Sequence, residues 1–341
     1  MADTVLVTGI SGFLGGHVAL ALLQAGYRVR GSLRDMARAE AIRAALARAG
    51  ADVTQLDFVA LDLLDDAGWT QAMAGISFLQ HTASPFLART PRDQSELVRP
   101  AVEGTERAVR AALASNVERI VLTSSMAAIA YGHGPAHGDA FTATDWTDVD
   151  GPGVSAYTLS KTLAERRAWQ LMREAGRERD LVAVNPGAIL GPLLDDDPGT
   201  SVALVGRLLA GAVPAAPRLS FGIVDVRDTA DLHVAAMAAP AAGGQRLPFD
   251  SAPMALIEAA RILAAAFPER AGRLPRFVLP DWTVRIAALF NADIRDNLGE
   301  LGRARRVDAS AAIALLGRDP ISPAEALIAS ARSLIAAGLV K

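Results

Sequence analysis

A short β-branched run, Thr4-Val5-Leu6-Val7-Thr8, feeds directly into Gly9-Ile10-Ser11-Gly12-Phe13-Leu14-Gly15-Gly16 and then into a helical pattern from His17 to Gln24, closed by Gly26. A run of this kind reads as a strand buried on both faces, the kind found in parallel sheets covered by helices. Strand, glycine-rich turn and helix in that order leave few folds open. The glycines let the chain turn sharply and approach a pyrophosphate, which sits at the helix N-terminus where free N–H groups point outward. The spacing is GxxGxxG rather than GxGxxG, and a turn that only packs helix on strand would use the same residues.

The alternation continues. A second strand is expected over Tyr27 to Leu33, with Arg34 at its end and Arg38 one helical turn further on. No acid stands at that strand end for a ribose 2′-hydroxyl, and a guanidinium suits a 2′-phosphate, so the reading is NADPH (NADP) over NADH. A third strand, Phe58 to Leu61, leads to Asp62-Leu63, placed for an adenine edge. A fourth, Ile76 to Gln80, leads to His81-Thr82-Ala83-Ser84-Pro85, whose small residues let a cofactor pass close. Residues 94 to 115 read as a long helix, followed by a fifth strand, Ile120 to Thr123, that presents Ser124-Ser125 at its C-terminal end. Open α/β sheets bind their ligands at such ends. Residues 131 to 153 form a long loop, and a sixth strand, Leu181 to Val184, ends abruptly in Asn185-Pro186-Gly187. Phe221 to Val226 reads as one more strand and Asp228 to Met237 as a helix that Asp228 could cap. The fold expected is α/β: a Rossmann-type doubly wound parallel sheet with a smaller, mostly helical C-terminal lobe. Residues 1–190, with 219–240 returning, would bind the dinucleotide; 191–218 and 241–341 would bind substrate.

Composition narrows the chemistry. With no cysteine in 341 residues, disulfides and thiolate zinc sites are excluded. The five histidines show no metal-binding spacing, and His133 and His137 flank Gly134-Pro135, a loop. Asp195-Asp196-Asp197 reads as an acidic loop, and Arg303-Ala304-Arg305-Arg306 as a solvated helix face. A net charge of −3 gives no basic field for nucleic acid. The N-terminus runs straight into a strand with no signal peptide, and no uncharged apolar run is long enough for a membrane span. A soluble, cytoplasmic protein without membrane or metal partners is expected.

Tyr157 and Lys161 are four residues apart and share one face of a helix. An ammonium beside a phenol favours the phenolate, so the pair reads as a proton donor with electrostatic support. A serine hydroxyl from a strand end would hold a substrate oxygen while that proton moves. A lone YxxxK also occurs on many solvated helices; the surrounding motifs give this one its weight.

Taken together these residues resemble the extended short-chain dehydrogenase/reductase superfamily, nearest to its dihydroflavonol 4-reductase, cinnamoyl-CoA reductase and methylglyoxal reductase group. The resemblance runs from Val7-Thr8-Gly9 through Thr123-Ser124-Ser125, Tyr157-Thr158-Leu159-Ser160-Lys161 and Val224-Asp225-Val226-Arg227-Asp228 to Val307-Asp308-Ala309-Ser310 and Leu315-Leu316-Gly317. It implies Ser125, rather than Ser124, as the catalytic serine, Tyr157 as general acid and Lys161 on the nicotinamide ribose. It implies Gly9, Ser11, Gly12, Phe13, Leu14 and Gly15 at the pyrophosphate and Arg34 and Arg38 at the 2′-phosphate. Asp62 and Leu63 would meet adenine, while Thr82, Ala83, Ser84 and Thr123 would line the cofactor path and Pro186 and Gly187 would face the nicotinamide. No Asn-Trp-Tyr signature of cinnamoyl-CoA reductases is present, which argues against an aromatic CoA thioester.

The activity expected is NADPH-dependent reduction of a small-molecule ketone or aldehyde by a monomer or homodimer. A sugar-nucleotide epimerase or dehydratase would share the fold and the tyrosine–lysine pair. Met126-Ala127-Ala128 after Ser125 offers no dehydratase acid pair, and Arg34 weighs against tightly held NAD. A non-catalytic NADP(H) sensor stands as the third alternative. Phe86, Tyr131, Phe141, Trp146, Phe221, Trp282 and Phe290 are the aromatics from which a substrate pocket would be drawn.

Overall fold

Strands that are apolar on both faces need helices above and below, and consecutive parallel strands need a crossover that supplies them. The computed structural model, which describes residues 3–84, 93–134, 140–290, 295 and 298–340, has this arrangement. Its strands are β1 (Thr4–Thr8), β2 (Arg28–Leu33), β3 (Leu56–Ala60), β4 (Phe78–His81), β5 (Arg119–Thr123), β6 (Leu181–Pro186), β7 (Ala188–Leu190), β8 (Ser220–Phe221), β9 (Ile223–Asp225), β10 (Arg246–Phe249) and β11 (Met254–Ala255). The helices are α1 (Phe13–Gln24), α2 (Ala39–Arg48), α3 (Trp69–Met73), α4 (Ser95–Ala114), α5 (Ala156–Glu174), α6 (Gly199–Leu209), α7 (Val226–Ala238), α8 (Leu256–Ala266) and α9 (Asp281–Ala287), then Ser310–Leu316 and Pro323–Ala336. Pro85, Phe86 and His137 lie outside the described residues. Among the described residues no helix is long and apolar enough to cross a membrane.

Seven strands form one parallel sheet in the order β10-β6-β5-β4-β1-β2-β3. The order reverses between β1 and β4, the kind of switch point beyond whose C-terminal strand ends open α/β sheets bind their ligands. Because successive strand side chains face opposite ways, Val5 and Val7 pack with Val18 and Leu22 of α1 and Leu232 and Ala236 of α7. Leu6 packs on the other face with Val109 of α4 and Trp169 and Met172 of α5. A separate core holds the C-terminal lobe together, joining Val205 and Leu208 of α6, Leu263 of α8 and Leu327 and Leu334 of the last long helix.

Several local expectations change. β6 continues through Asn185 and Pro186, because β10 pairs alongside it, Pro248 opposite Asn185 and Phe249 opposite Pro186. The edge strand of the main sheet therefore comes from residues 241–341, a stretch expected wholly in the substrate lobe. The strand expected over 221–226 is broken at Gly222: β8 pairs with β11 and β9 with β7, both outside the main sheet. Asp225, not Asp228, caps α7 by accepting from the Arg227 N–H at 2.9 Å. Asp228 is buried one turn inside the helix, where it accepts from the Ile321 N–H at 2.6 Å and pairs with Arg318. The basic run at 303–306 is extended rather than helical. Its Arg305 is partly buried, stacked 4.1 Å over the Tyr131 ring and paired with Glu300.

Candidate active site

The turn after β1 is built by exclusion. Gly9 has φ +74°, and a Cβ there would fall 2.8 Å from the Ala83 Cα. A Cβ on Gly15 would fall 2.1 Å from the Gly9 carbonyl oxygen and 2.8 Å from the Thr82 Oγ1. Both glycines are thus demanded by close packing between the turn and the end of β4. Gly12 stands at the N-cap of α1 with no side chain capping that end, and the nearest atom to a Cβ there is 3.4 Å away. The N-terminal N–H groups of α1, at Phe13, Leu14 and Gly15, lack carbonyl partners within the helix and carry the positive end of its dipole. This cradle suits a pyrophosphate. Ser11 lies in the same turn, half-buried. Thr82 donates to the Thr8 carbonyl at 2.7 Å, holding the small residues of the β4 end against the glycines, and Ser84 is exposed beyond them.

Arg34 is exposed immediately after β2. Arg38 is exposed too, but its guanidinium lies 3.7 Å from Asp195 of the lobe, whose carboxyl is pushed above the usual range by burial. Arg34 is therefore the better placed of the two for a phosphate. Asp62 is exposed and accepts from the Leu64 N–H at 2.9 Å, whereas Leu63 is half-buried against Gly104 of α4.

The Ser125 hydroxyl caps a tight 3-10 turn, accepting from the Ala127 N–H at 3.1 Å while its own proton stays free to donate. Its neighbour Ser124 is buried and donates to Glu165 at 2.5 Å. Ser125, not Ser124, is thus the hydroxyl available at this strand end. Tyr157 lies in the first turn of α5, 46% exposed, and Lys161 follows half-buried on the same face. The lysine charge helps hold buried His81, at the β4 end, down to about 3, with burial the larger cause. Thr123 bonds His233 of α7 at 3.2 Å, so it ties β5 to a helix. Pro186 is buried at the end of β6, with Gly187 half-buried beside it.

Glu165, one turn past Lys161, organises the surroundings. Its buried carboxylate accepts from Ser124, from Asn185 at 2.7 Å, from the Trp169 indole at 3.1 Å and from Arg246 at 2.6 Å. Arg246 in turn donates to the carbonyls of Ala128, Ala143 and Asp145 and lies 3.7 Å from the Trp146 ring centroid. One ion pair therefore locks α5 to β5, β6, β10 and the loop before α5.

Residues 5–249 match the profile of the NAD-dependent epimerase/dehydratase family. The chain belongs to that family. A cinnamoyl-CoA reductase of Medicago truncatula is 34% identical over 249 residues, spanning 72% of this chain and 75% of its own. The NADPH-dependent methylglyoxal reductase of Saccharomyces cerevisiae is 31% identical over 293 residues, 80% of this chain and 85% of its own. The crystal structure of yeast methylglyoxal/isovaleraldehyde reductase complexed with NADPH superposes with TM-score 0.77 at 26% identity, covering 99% of this chain and 100% of that one. The expected membership of the extended short-chain superfamily and the Rossmann-type fold are borne out.

Within this family member, the motifs missed Glu165, Arg246 and Asp250. Glu165 follows Tyr157 and Lys161 at the same four-residue interval, a signal that was open to inspection. Arg246 and Asp250 gave none, since only the pairing of β10 beside β6 brings them to the site. Among the candidate aromatics, Trp146 is taken up by Arg246, Phe141 is buried with Met126 and Ile129, and Trp282 and Phe290 are 64% and 87% exposed.

Proposed function

We propose that this protein is an NADPH-dependent carbonyl reductase acting on a small ketone or aldehyde. What supports the reading is the glycine cradle after β1, the Ser125 hydroxyl at the end of β5 and the Tyr157–Lys161 face of α5, a helix whose Thr162 bonds the Ala127 carbonyl beside that serine. The relative named as an NADPH-dependent methylglyoxal reductase supports both the cofactor and the reaction class. Bound at the cradle with its phosphate on Arg34, reduced nicotinamide would supply a hydride to the carbonyl carbon. Tyr157 gives its proton to the carbonyl oxygen as negative charge develops there, and Ser125 donates a hydrogen bond to the same atom. Lys161 keeps positive charge beside the resulting phenolate until solvent returns the proton. Pro186 and Gly187 form the nicotinamide side. The lobe, less β10, covers the substrate.

The test is oxidation of NADPH and NADH over a panel of aryl ketones, 2-oxoaldehydes and ketoesters, with Tyr157→Phe alongside. Removal of a positioned acid costs ~10²–10⁴ in rate, so the variant should lose turnover by that factor and keep NADPH affinity. Full turnover by Tyr157→Phe would remove the proton-donor assignment. Inert cofactors together with tightly retained NAD would point to an epimerase.

A further inference from the structure

The proton-transfer chemistry leaves one half-buried carboxyl beside Gly187 unused. Asp250 follows the last residue of β10, and its side chain occupies the space that two glycines leave open. A Cβ on Gly222 would fall 1.8 Å from Oδ1 and 2.1 Å from Oδ2, and one on Gly187 would fall 2.2 Å from Oδ1. Neither glycine is among those with positive φ, so the missing side chains serve to seat the carboxyl and not to make a turn. The three segments are stitched together, the Gly187 N–H donating to the Phe249 carbonyl and the Ala188 N–H to the Gly222 carbonyl, each at 2.9 Å. Gly187 adjoins Pro186, on the side assigned to the nicotinamide.

Asp250 accepts one hydrogen bond, from the Ser251 N–H to Oδ1 at 2.9 Å, and among the described residues no cation pairs with it. Burial pushes its pKa up to about 7, a backbone hydrogen bond opposing. The carboxyl is half-buried, and among the described residues its Oδ2 accepts from no donor, which leaves that oxygen open to a donor on a ligand.

We propose that Asp250 is a specificity-determining residue of the substrate subsite, recognising a hydroxyl group carried next to the reacting carbonyl. The inference rests on the carbonyl reductase reading and names its substrate class, a hydroxy ketone or hydroxy aldehyde. A hydroxyl both donates and accepts, so it pairs with either protonation state of the carboxyl near neutral pH, whereas an ammonium pairs only with the anion.

The experiment takes the ketone reduced best in the panel and compares it with its α-hydroxy and α-amino analogues, using wild type, Asp250→Ala and the near-isosteric Asp250→Asn. Wild type should prefer the hydroxy ketone over the parent by ~10–100-fold in kcat/KM. Asp250→Ala should bring that ratio to within about threefold of one; Asp250→Asn should keep a preference. If Asp250→Ala fails to fold, the wild-type ratio and Asp250→Asn decide. No preference in wild type, an undiminished preference in Asp250→Ala, or a larger preference for the amine overturns the proposal alone. Absence of NADPH oxidation with every carbonyl compound overturns the reductase reading, and this proposal with it.

Discussion

Arg246→Met isolates the ion pair on which α5, the helix of Tyr157 and Lys161, is anchored. Glu165 would be left fully buried with three neutral donors, Ser124, Asn185 and Trp169, and no cation. Removing one partner of a buried pair costs about 3–5 kcal/mol, because the remaining charge keeps its desolvation penalty without compensation. At roughly 2.1 cal/mol/K per residue the unfolding entropy of 341 residues is roughly 0.7 kcal/mol/K, so the thermal midpoint should fall by about 4–7 °C. Glu165→Gln strands the opposite charge, since Arg246 would retain only carbonyl oxygens and the Trp146 ring. The double variant has neither charge and should be more stable than the sum of the two losses by at least ~2 kcal/mol. Circular dichroism melts of the four proteins close the cycle. Additive losses, or an Arg246→Met midpoint within about 1 °C of wild type, would refute the claim that this pair carries the junction.

Gly15→Ala drives a methyl into the Gly9 carbonyl and Thr82 and should weaken NADPH binding more than ~10-fold by fluorescence titration; unchanged affinity would place the cofactor elsewhere. Arg34→Ala should raise the KM for NADPH about tenfold and leave that for NADH unchanged, as loss of a phosphate partner requires. A pH series of thermal melts tests the buried histidines. Burial pushes His81 and His233 down to about 3, with Lys161 adding to the effect at His81, so between 6.5 and about 3 the unfolded chain binds protons that the native one does not. Their stability is full above about pH 6.5 and is lost progressively toward 3. Asp250, raised to about 7, opposes part of this by favouring the native state at low pH. The two histidines outweigh it, so melting should fall on acidification by on the order of 1 kcal/mol per pH unit. A midpoint that rises from pH 6.5 to 5 contradicts this assignment.

The nucleotide half was legible because its instructions are local. The β1 run, Gly9 and Gly15, and the strand that delivers Ser125 each act within a few residues of where they are read. Misreadings fell where a distant partner sets the outcome. Val184 looked like the end of β6 because Asn185-Pro186-Gly187 reads as a breaker, yet a neighbouring strand that arrives sixty residues later extends it. Arg303 to Arg306 looked like a solvated face, but Tyr131 and Glu300 draw Arg305 partly into the structure. Asp228 had the composition of a cap and the position of a core anchor.

That asymmetry has a chemical counterpart. A tyrosine and a lysine on one face need only helical spacing, so Tyr157-Thr158-Leu159-Ser160-Lys161 declares itself in five letters. Orienting them against a substrate needs groups from several elements: Glu165 from α5, Asn185 from β6, Arg246 from β10. The same strand that supplies Arg246 places Asp250 four residues further on, at the rim beside Gly187. β10 therefore fixes α5 with one residue and, on the proposal made for Asp250, bears on the substrate with another. Arg246→Met should disturb the first without moving a carboxyl seated by Gly187 and Gly222, so in that variant the rate should fall for a hydroxy ketone and its parent alike while their ratio holds.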